Sequence, residues 1–235
     1  MGIADIHMHT IYSYDGTAAV SAVLERAVKV GLDIIAITDH DVIRGALEAE
    51  QMSSNFGIQV IPGIEITTSD GDLLALSVRK MIPAGLTLIE TIKRVGDEGG
   101  FCVAPHPAAG GMGMKSLSAY NIFQALDDVE AARILIGIET YNATTLDREA
   151  NKAAAKWVKR IGIAQTGSSD AHVLGAIGLG ATEFPGKSID DFYKSLCEGT
   201  TIVRKGIEWG PIEVLGKWAA NYIKSTPAHL ALVFG

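Results

Sequence analysis

Short apolar runs alternate with longer amphipathic stretches along the chain. Ile34-Ile35-Ala36-Ile37, Gln59-Val60-Ile61, Phe101-Cys102-Val103-Ala104, Ile134-Leu135-Ile136-Gly137-Ile138 and Gly162-Ile163-Ala164 are almost purely apolar, the pattern of parallel strands buried on both faces. A strand ending at His7 and His9 precedes them, and residues 73–78 supply a further one. Between the strands, Val20, Val23, Leu24, Ala27 and Val28 fall at helical spacing, and Gly31 follows as a C-cap. The same periodicity predicts helices near 44–55, 86–98, 118–131, 145–160, 188–198 and 212–223. Strand and helix alternating this often predict a parallel α/β sheet or barrel. No Pro- or Ser-rich linker, composition break or internal repeat divides the sequence, so residues 1–235 read as a single domain. The Gly- and Ala-rich segments 105–115 and 173–187 read as mobile loops, and the apolar tail 228–235 as a segment packed on the barrel or a partner subunit.

Composition narrows the class. With 48% hydrophobic and 20% charged residues the chain can build a sizeable core, which excludes wholesale disorder. The net charge of −7 argues against a sequence-independent binder of long duplex nucleic acid, which needs a basic face. It leaves anionic substrates open, because bound divalent ions invert the local sign of a site. Two cysteines, Cys102 and Cys197, are too few for a disulfide scaffold and suit a reducing cytoplasm. No apolar run approaches the ~20 residues a membrane helix needs, and Met1-Gly2-Ile3-Ala4-Asp5 lacks the features of a signal peptide. The expectation is a soluble cytoplasmic protein with no membrane partner.

The candidate chemistry sits where the strands end. His7 and His9 flank Met8, and the two-residue period of a strand points both imidazoles to one face. Asp39-His40-Asp41, Glu65, His106, Glu139 and Ser169-Asp170-Ala171-His172 each follow an apolar run. Charged groups at the ends of buried strands are costly unless paired or bound to metal. Imidazole mixed with carboxylate suits Zn, Mn or Fe, and a carboxylate such as Glu65 can bridge two ions about 3.5–4 Å apart. Asp39 and Asp41 read equally well as acceptors orienting His40 or as loop caps. Among the basic residues Arg44, Arg79, Lys115, Arg204 and Lys205, the best phosphate contact is Lys115, carried by the glycine-rich run before it. Trp157, Trp209 and Trp218 read as packing anchors, and Cys102 as inert core.

His7-Met8-His9-Thr10, Ser13-Tyr14-Asp15-Gly16, Thr38-Asp39-His40-Asp41, Pro62-Gly63-Ile64-Glu65, Pro105-His106-Pro107, Gly137-Ile138-Glu139 and Gly167-Ser168-Ser169-Asp170-Ala171-His172 together resemble the PHP (polymerase and histidinol phosphatase) family. The resemblance runs from about residue 3 to about residue 180, plus the following strand and helix. It implies a distorted (β/α)7 barrel of mostly parallel strands with a trinuclear metal centre at its C-terminal mouth, holding two or three divalent ions. By position, His7, His9, Glu65 and Asp170 would hold the first metal. Glu65, His106 and Glu139 would hold the second, with Glu65 bridging, and Asp15, His40 and His172 the third. Tyr14 intervenes where the family reads Ser-Asp-Gly, which shifts Asp15 by one place. Glu139 stands where other branches carry His or Cys, and as a harder ligand it favours Mn or Fe over Zn.

The function this implies is metal-dependent hydrolysis of phosphate esters, in which a metal-bound hydroxide attacks phosphorus. His40, His172 and Asp170 are the groups placed in the chemistry, either imidazole lending a proton to the leaving oxygen. Compact spacing between motifs favours nucleotides or other small phosphorylated substrates over long duplexes. The alternatives are a histidinol-phosphate phosphatase or an oligonucleotide exonuclease, and, outside catalysis, a metal-stabilised structural or regulatory module. The mouth is expected to be covered by the 105–115 and 173–187 loops alone.

Overall fold

Strand residues alternate between two buried environments. In the computed structural model, which describes residues 1–109 and 115–234, Ile34 and Ala36 join an inner cluster with Leu74, Leu76, Phe101 and Val103. Their neighbours Ile35, Ile37, Leu73, Ala75, Cys102 and Ala104 join an outer cluster packed under the helices. Both faces are therefore dry, which is why these runs are continuously apolar. Residues 110–114, the glycine-rich run expected to carry Lys115, lie outside the described residues.

The strands are β1 (Gly2–Asp5), β2 (Ile34–Ile37), β3 (Gln59–Thr67), β4 (Asp72–Leu76), β5 (Phe101–Ala104), β6 (Leu135–Asn142), β7 (Ala164–Ser168), β8 (Gly180–Phe184) and β9 (Ile202–Lys205). They form one sheet in the order β7-β6-β5-β4-β3-β2-β1-β8-β9. Parallel pairing joins β1 to β2, β2 to β3, β5 to β6 and β6 to β7, whereas β4 runs against both neighbours and β8 against β1 and β9. All the strands but β4 and β8 thus point the same way. Past the ends of β1 and β7 a parallel bridge between Met8 and Ala171, with His9 N–H donating to the Ala171 carbonyl at 2.9 Å, nearly closes the first seven strands into a barrel. The distorted seven-stranded barrel is the one that the family resemblance implies.

The antiparallel pair of β8 and β9, joined through a helix, is an addition to it. The segment 173–187, expected as a mobile loop, holds a 3-10 turn at Leu174–Ala176 and the whole of β8. Its backbone is committed to β1 and β9, so it forms part of the sheet.

Helices α1 (Val20–Lys29), α2 (Arg44–Phe56), α3 (Leu88–Asp97), α4 (Ala119–Asp127), α5 (Arg148–Ile161) and α6 (Ile189–Glu198) follow the predicted periodicity. Thr87, Ser118 and Ser188 close capping boxes on α3, α4 and α6, fixing where each starts. Phe192 and Leu196 of α6 plug the inner cluster at the base of the barrel. The last helix, α7 (Pro211–Phe234), runs well beyond the predicted 212–223. No described helix is long and apolar enough to cross a membrane.

Candidate metal centre

Period-two alternation carries the inward face of each strand from apolar at the base to ionisable at the mouth. On β3 the inner position Ile61 is followed four residues later by Glu65, and on β6 Gly137 is followed two later by Glu139. Asp170 and His172 follow β7, His106 follows β5, His40 follows β2, and His7 and His9 follow β1. Asp15 comes from the loop after β1, where Gly16 lies so close to the Thr10 carbonyl that a Cβ would overlap it. His106 (φ 28°) and Asp170 (φ 52°) hold positive-φ backbones, a conformation that non-glycine residues adopt only when the surroundings impose it.

The structure gathers all nine residues into one cluster. Glu65 is its centre: Oε2 lies 3.0 Å from His7 Nε2, 3.3 Å from His9 Nε2 and 3.4 Å from His40 Nδ1, and Oε1 lies 3.0 Å from His106 Nε2. Asp170 Oδ1 is 3.2 Å from His9 Nε2, 3.3 Å from His7 Nε2 and 3.5 Å from His172 Nδ1. Asp15 Oδ2 joins His172 Nε2 at 3.1 Å and His40 Nε2 at 3.4 Å. Among the described residues, three sets of donor atoms lie within 4.8 Å of one another: His7, His9 and Asp170; His7, Glu65 and His106; and His9, Asp15, His40 and His172. The first and third match the sets that the resemblance implies, with Glu65 adjoining the first and His9 added to the third. In the second, His7 stands where Glu139 is implied. Glu139 instead puts Oε1 3.2 Å from His7 Nδ1, while Oε2 accepts from His106 N–H at 2.8 Å and from Asn142 Nδ2 at 3.0 Å.

Burial and charge pull these groups in opposite directions. Burial favours the neutral forms, yet the surrounding imidazoles hold Glu65, Asp170 and Asp15 well below the usual carboxylate range. Burial would likewise lower the imidazoles, but the carboxylates prevail and push His40 up to about 10 and His172 up to about 9, and raise His7 and His106. The protein thus holds carboxylates ionised in a dry site, as a cation-binding cluster requires. While His9 Nε2 faces Glu65 and Asp170, its buried Nδ1 has no hydrogen-bond partner. The donor set and this orphaned atom fit divalent ions of the Zn, Mn or Fe type.

Residues behind the cluster set its geometry. Asn142, fully buried, donates from Nδ2 to Glu139 Oε2 and to Asp170 Oδ2, both at 3.0 Å, while its Oδ1 accepts from Thr144 N–H at 3.2 Å and Thr145 N–H at 2.8 Å. Nothing in the spacing marks it, since three residues along a regular strand reverse the face. A register shift between Glu139 and Tyr141 brings Asn142 back to the side of Glu139. Below the cluster, Asp5 accepts from Ser169 and Gly178 N–H groups, and burial pushes it up to about 6. Both ring nitrogens of His40 face Asp15 and Glu65, so neither Asp39 nor Asp41 orients it. Asp39 holds Thr10 through its N–H at 2.6 Å and its hydroxyl at 2.7 Å, and Asp41 holds Thr67 N–H at 2.8 Å. Both are loop clamps.

A cavity of about 590 Å³ opens over the cluster. Its lining combines Asp15, His40, Glu65, His106, Asp170 and His172 of the cluster with the apolar Leu146, Val173, Ala176, Trp209, Val214, Leu215 and Trp218. The mouth is therefore walled by α7 and the segment before it, in addition to the expected loops. Trp209 and Trp218 pack against the outer core, as packing anchors do, and also face this cavity. Lys115 is exposed, and its backbone pairs with Asp72, which lines the cavity, through Asp72 N–H to Lys115 O at 2.5 Å and Lys115 N–H to Asp72 Oδ2 at 3.3 Å. Arg79 pairs with Glu50 at 2.6 Å, Arg44 lies over the Tyr12 ring and Lys205 over that of Tyr141.

A barrel with a carboxylate–imidazole cluster at its mouth defines a metal-binding α/β class. Within it, the PHP domain family matches residues 5–210, and the chain belongs to that family. An uncharacterised protein of Methanocaldococcus jannaschii is 34% identical over 161 residues, 64% of this chain and 88% of its own length. A phosphoribosyl 1,2-cyclic phosphate 1,2-diphosphodiesterase of Eggerthella lenta is 34% identical over 88 residues, 35% of this chain and 33% of its own. The fold is shared with a two-domain protein of Bacteroides vulgatus described as containing a predicted PHP-like metal-dependent phosphoesterase, at a TM-score of 0.70 and 19% identity over 95% of this chain and 69% of that one.

Proposed function

We propose that this chain is a metal-dependent phosphoesterase that hydrolyses small phosphorylated substrates, nucleotides among them. The observation that carries the reading is Glu65, buried at the centre of four imidazoles and placed to serve adjacent ion sites. Divalent ions held by His7, His9, Asp15, His40, Glu65, His106, Asp170 and His172, with Glu139 adjoining, would supply positive charge for phosphoryl oxygens and a nucleophile from water at neutral pH. The chain's own part is to keep the carboxylates ionised and oriented and to exclude bulk water from the buried wall of the site. His40 and His172 are the most open imidazoles of the cluster, 13% and 22% exposed, and their Nε2 atoms rest on Asp15. Whichever of the two is not committed to the third ion is placed to deliver a proton to a leaving oxygen entering from the cavity. Asp170 holds the His9 and His172 rings in place, and Lys115, exposed and tied through its backbone to the cavity-lining Asp72, is the candidate contact for a phosphate oxygen. The names borne by the Eggerthella and Bacteroides relatives support the same chemistry.

The test is metal reconstitution followed by assays on phosphomonoesters, phosphodiesters and oligonucleotides, with elemental analysis of the same sample. The reading expects two or three ions per chain and phosphate release abolished by chelation. No turnover of any phosphoester by the fully loaded protein would overturn it.

A further inference from the structure

We infer that the α7 wall of the cavity is a binding subsite for the organic part of the substrate, and that this part is aromatic or otherwise apolar and carries a single phosphoryl group. The inference rests on the phosphoesterase reading and adds the substrate class. The cavity is far larger than a phosphoryl group needs, at about 590 Å³, and falls in the range of pockets that enclose whole small organic ligands. Beside the metal-binding residues, the half-buried Trp209, Val214, Leu215 and Trp218 contribute apolar surface to its lining.

That surface is held in register with the cluster. Trp218 Nε1 donates to the Asp15 carbonyl at 2.9 Å, which ties α7 to a residue of the third donor set. Arg148 donates to the Trp209 carbonyl at 2.8 Å and to the Ala143 carbonyl at 3.0 Å, tying the entry of α7 to the end of β6. An apolar wall fixed at both ends and continuous with the reacting centre suits a flat or branched hydrophobic group whose phosphate reaches the ions. The carboxylates of Asp72 and Asp147 also line the cavity. Asp72 is buried with Oδ1 unpartnered, and neither carboxylate offers a clamp for a second phosphate on the organic group.

The experiment uses two non-hydrolysable probes, phenylphosphonate and methylphosphonate, titrated calorimetrically into metal-reconstituted protein, with inorganic phosphate in parallel. The expected result is phenylphosphonate binding at least tenfold tighter than methylphosphonate. Leu215→Asp and Val214→Asp, both on the half-buried face of α7, should each collapse that ratio below threefold. Equal affinities in the unaltered protein overturn the inference, as does a ratio preserved in both variants. If inorganic phosphate binds and neither phosphonate does, the subsite alone is refuted. If inorganic phosphate also fails to bind, the phosphoesterase reading falls first.

Discussion

Asn142→Asp changes one NH2 group to oxygen and probes the arrangement behind the cluster. The native side chain satisfies all its bonding capacity, giving two bonds to carboxylates and accepting two from backbone N–H groups, which fixes the amide orientation. The substitution keeps the acceptor side and removes both donors, leaving Glu139 Oε2 and Asp170 Oδ2 facing a third carboxylate. Hydrogen bonds to charged groups contribute about 1.5–3 kcal/mol each, so two lost bonds amount to about 3–6 kcal/mol. Protonation of the new carboxyl limits the loss, because taking it up from a pKa near 3.9 to pH 7 costs about 4 kcal/mol and restores one donor. The expected loss in metal-free protein at pH 7 is therefore about 3–6 kcal/mol, below the ceiling of about 5.5–7 kcal/mol that protonation sets with one bond still lost, read by denaturant unfolding after chelation. After metal reconstitution the deficit should shrink, because the added negative charge then faces cations. A loss below about 1 kcal/mol without metal, or a larger loss with metal than without, would refute the view that Asn142 holds the two carboxylates together.

Glu65→Gln should cost more turnover than a change at any single terminal ligand, since Glu65 faces four imidazoles drawn from all three donor sets; near-normal kcat in this variant would contradict the bridging role. Asp15→Ala should lose less bound metal than His7→Ala on elemental analysis, because Asp15 is partly open and touches two imidazoles, whereas His7 is fully buried against three carboxylates. In metal-free protein, His40 and His172 titrate at about 10 and about 9, above their ordinary 6.5, so their contribution to stability is complete below pH 6.5 and lost as pH rises through 9 to 10. Asp15, Asp170 and Glu65 are held below their ordinary 3.8, 3.8 and 4.5, so their contribution is present above that range and lost in acid; thermal melts should peak between pH 4.5 and 6.5. Loading metal at pH 7 must displace protons from the imidazoles, so pH-stat titration should record proton release and affinity should rise with pH; no release would contradict the protonated state. A mononucleotide should show higher kcat/KM than a long oligomer, with weak salt dependence; the reverse preference with a steep salt slope would indicate a nuclease.

Much of the barrel and of its cluster was legible in the chain itself. Strands buried on both faces need uninterrupted apolar runs, and a strand's two-residue period carries Ile61 to Glu65 and Gly137 to Glu139 on one inward face, so ionisable groups at run ends announce a shared mouth. Capping residues such as Thr87 and Ser188 likewise mark helix starts locally. Other features depend on contacts distant in sequence. Residues 180–184 are a strand because β1 and β9 supply partners for their backbone, and Gly180-Ala181-Thr182-Glu183-Phe184 lacks the continuous apolar run that marks the other buried strands. The tryptophans of the α7 region become a cavity wall only because Trp218 reaches Asp15 and Arg148 reaches Trp209. Asn142 stands beside Glu139 because the strand slips its register between them, a displacement set by how β6 and β7 fit together in the closed barrel and by nothing in the three residues themselves.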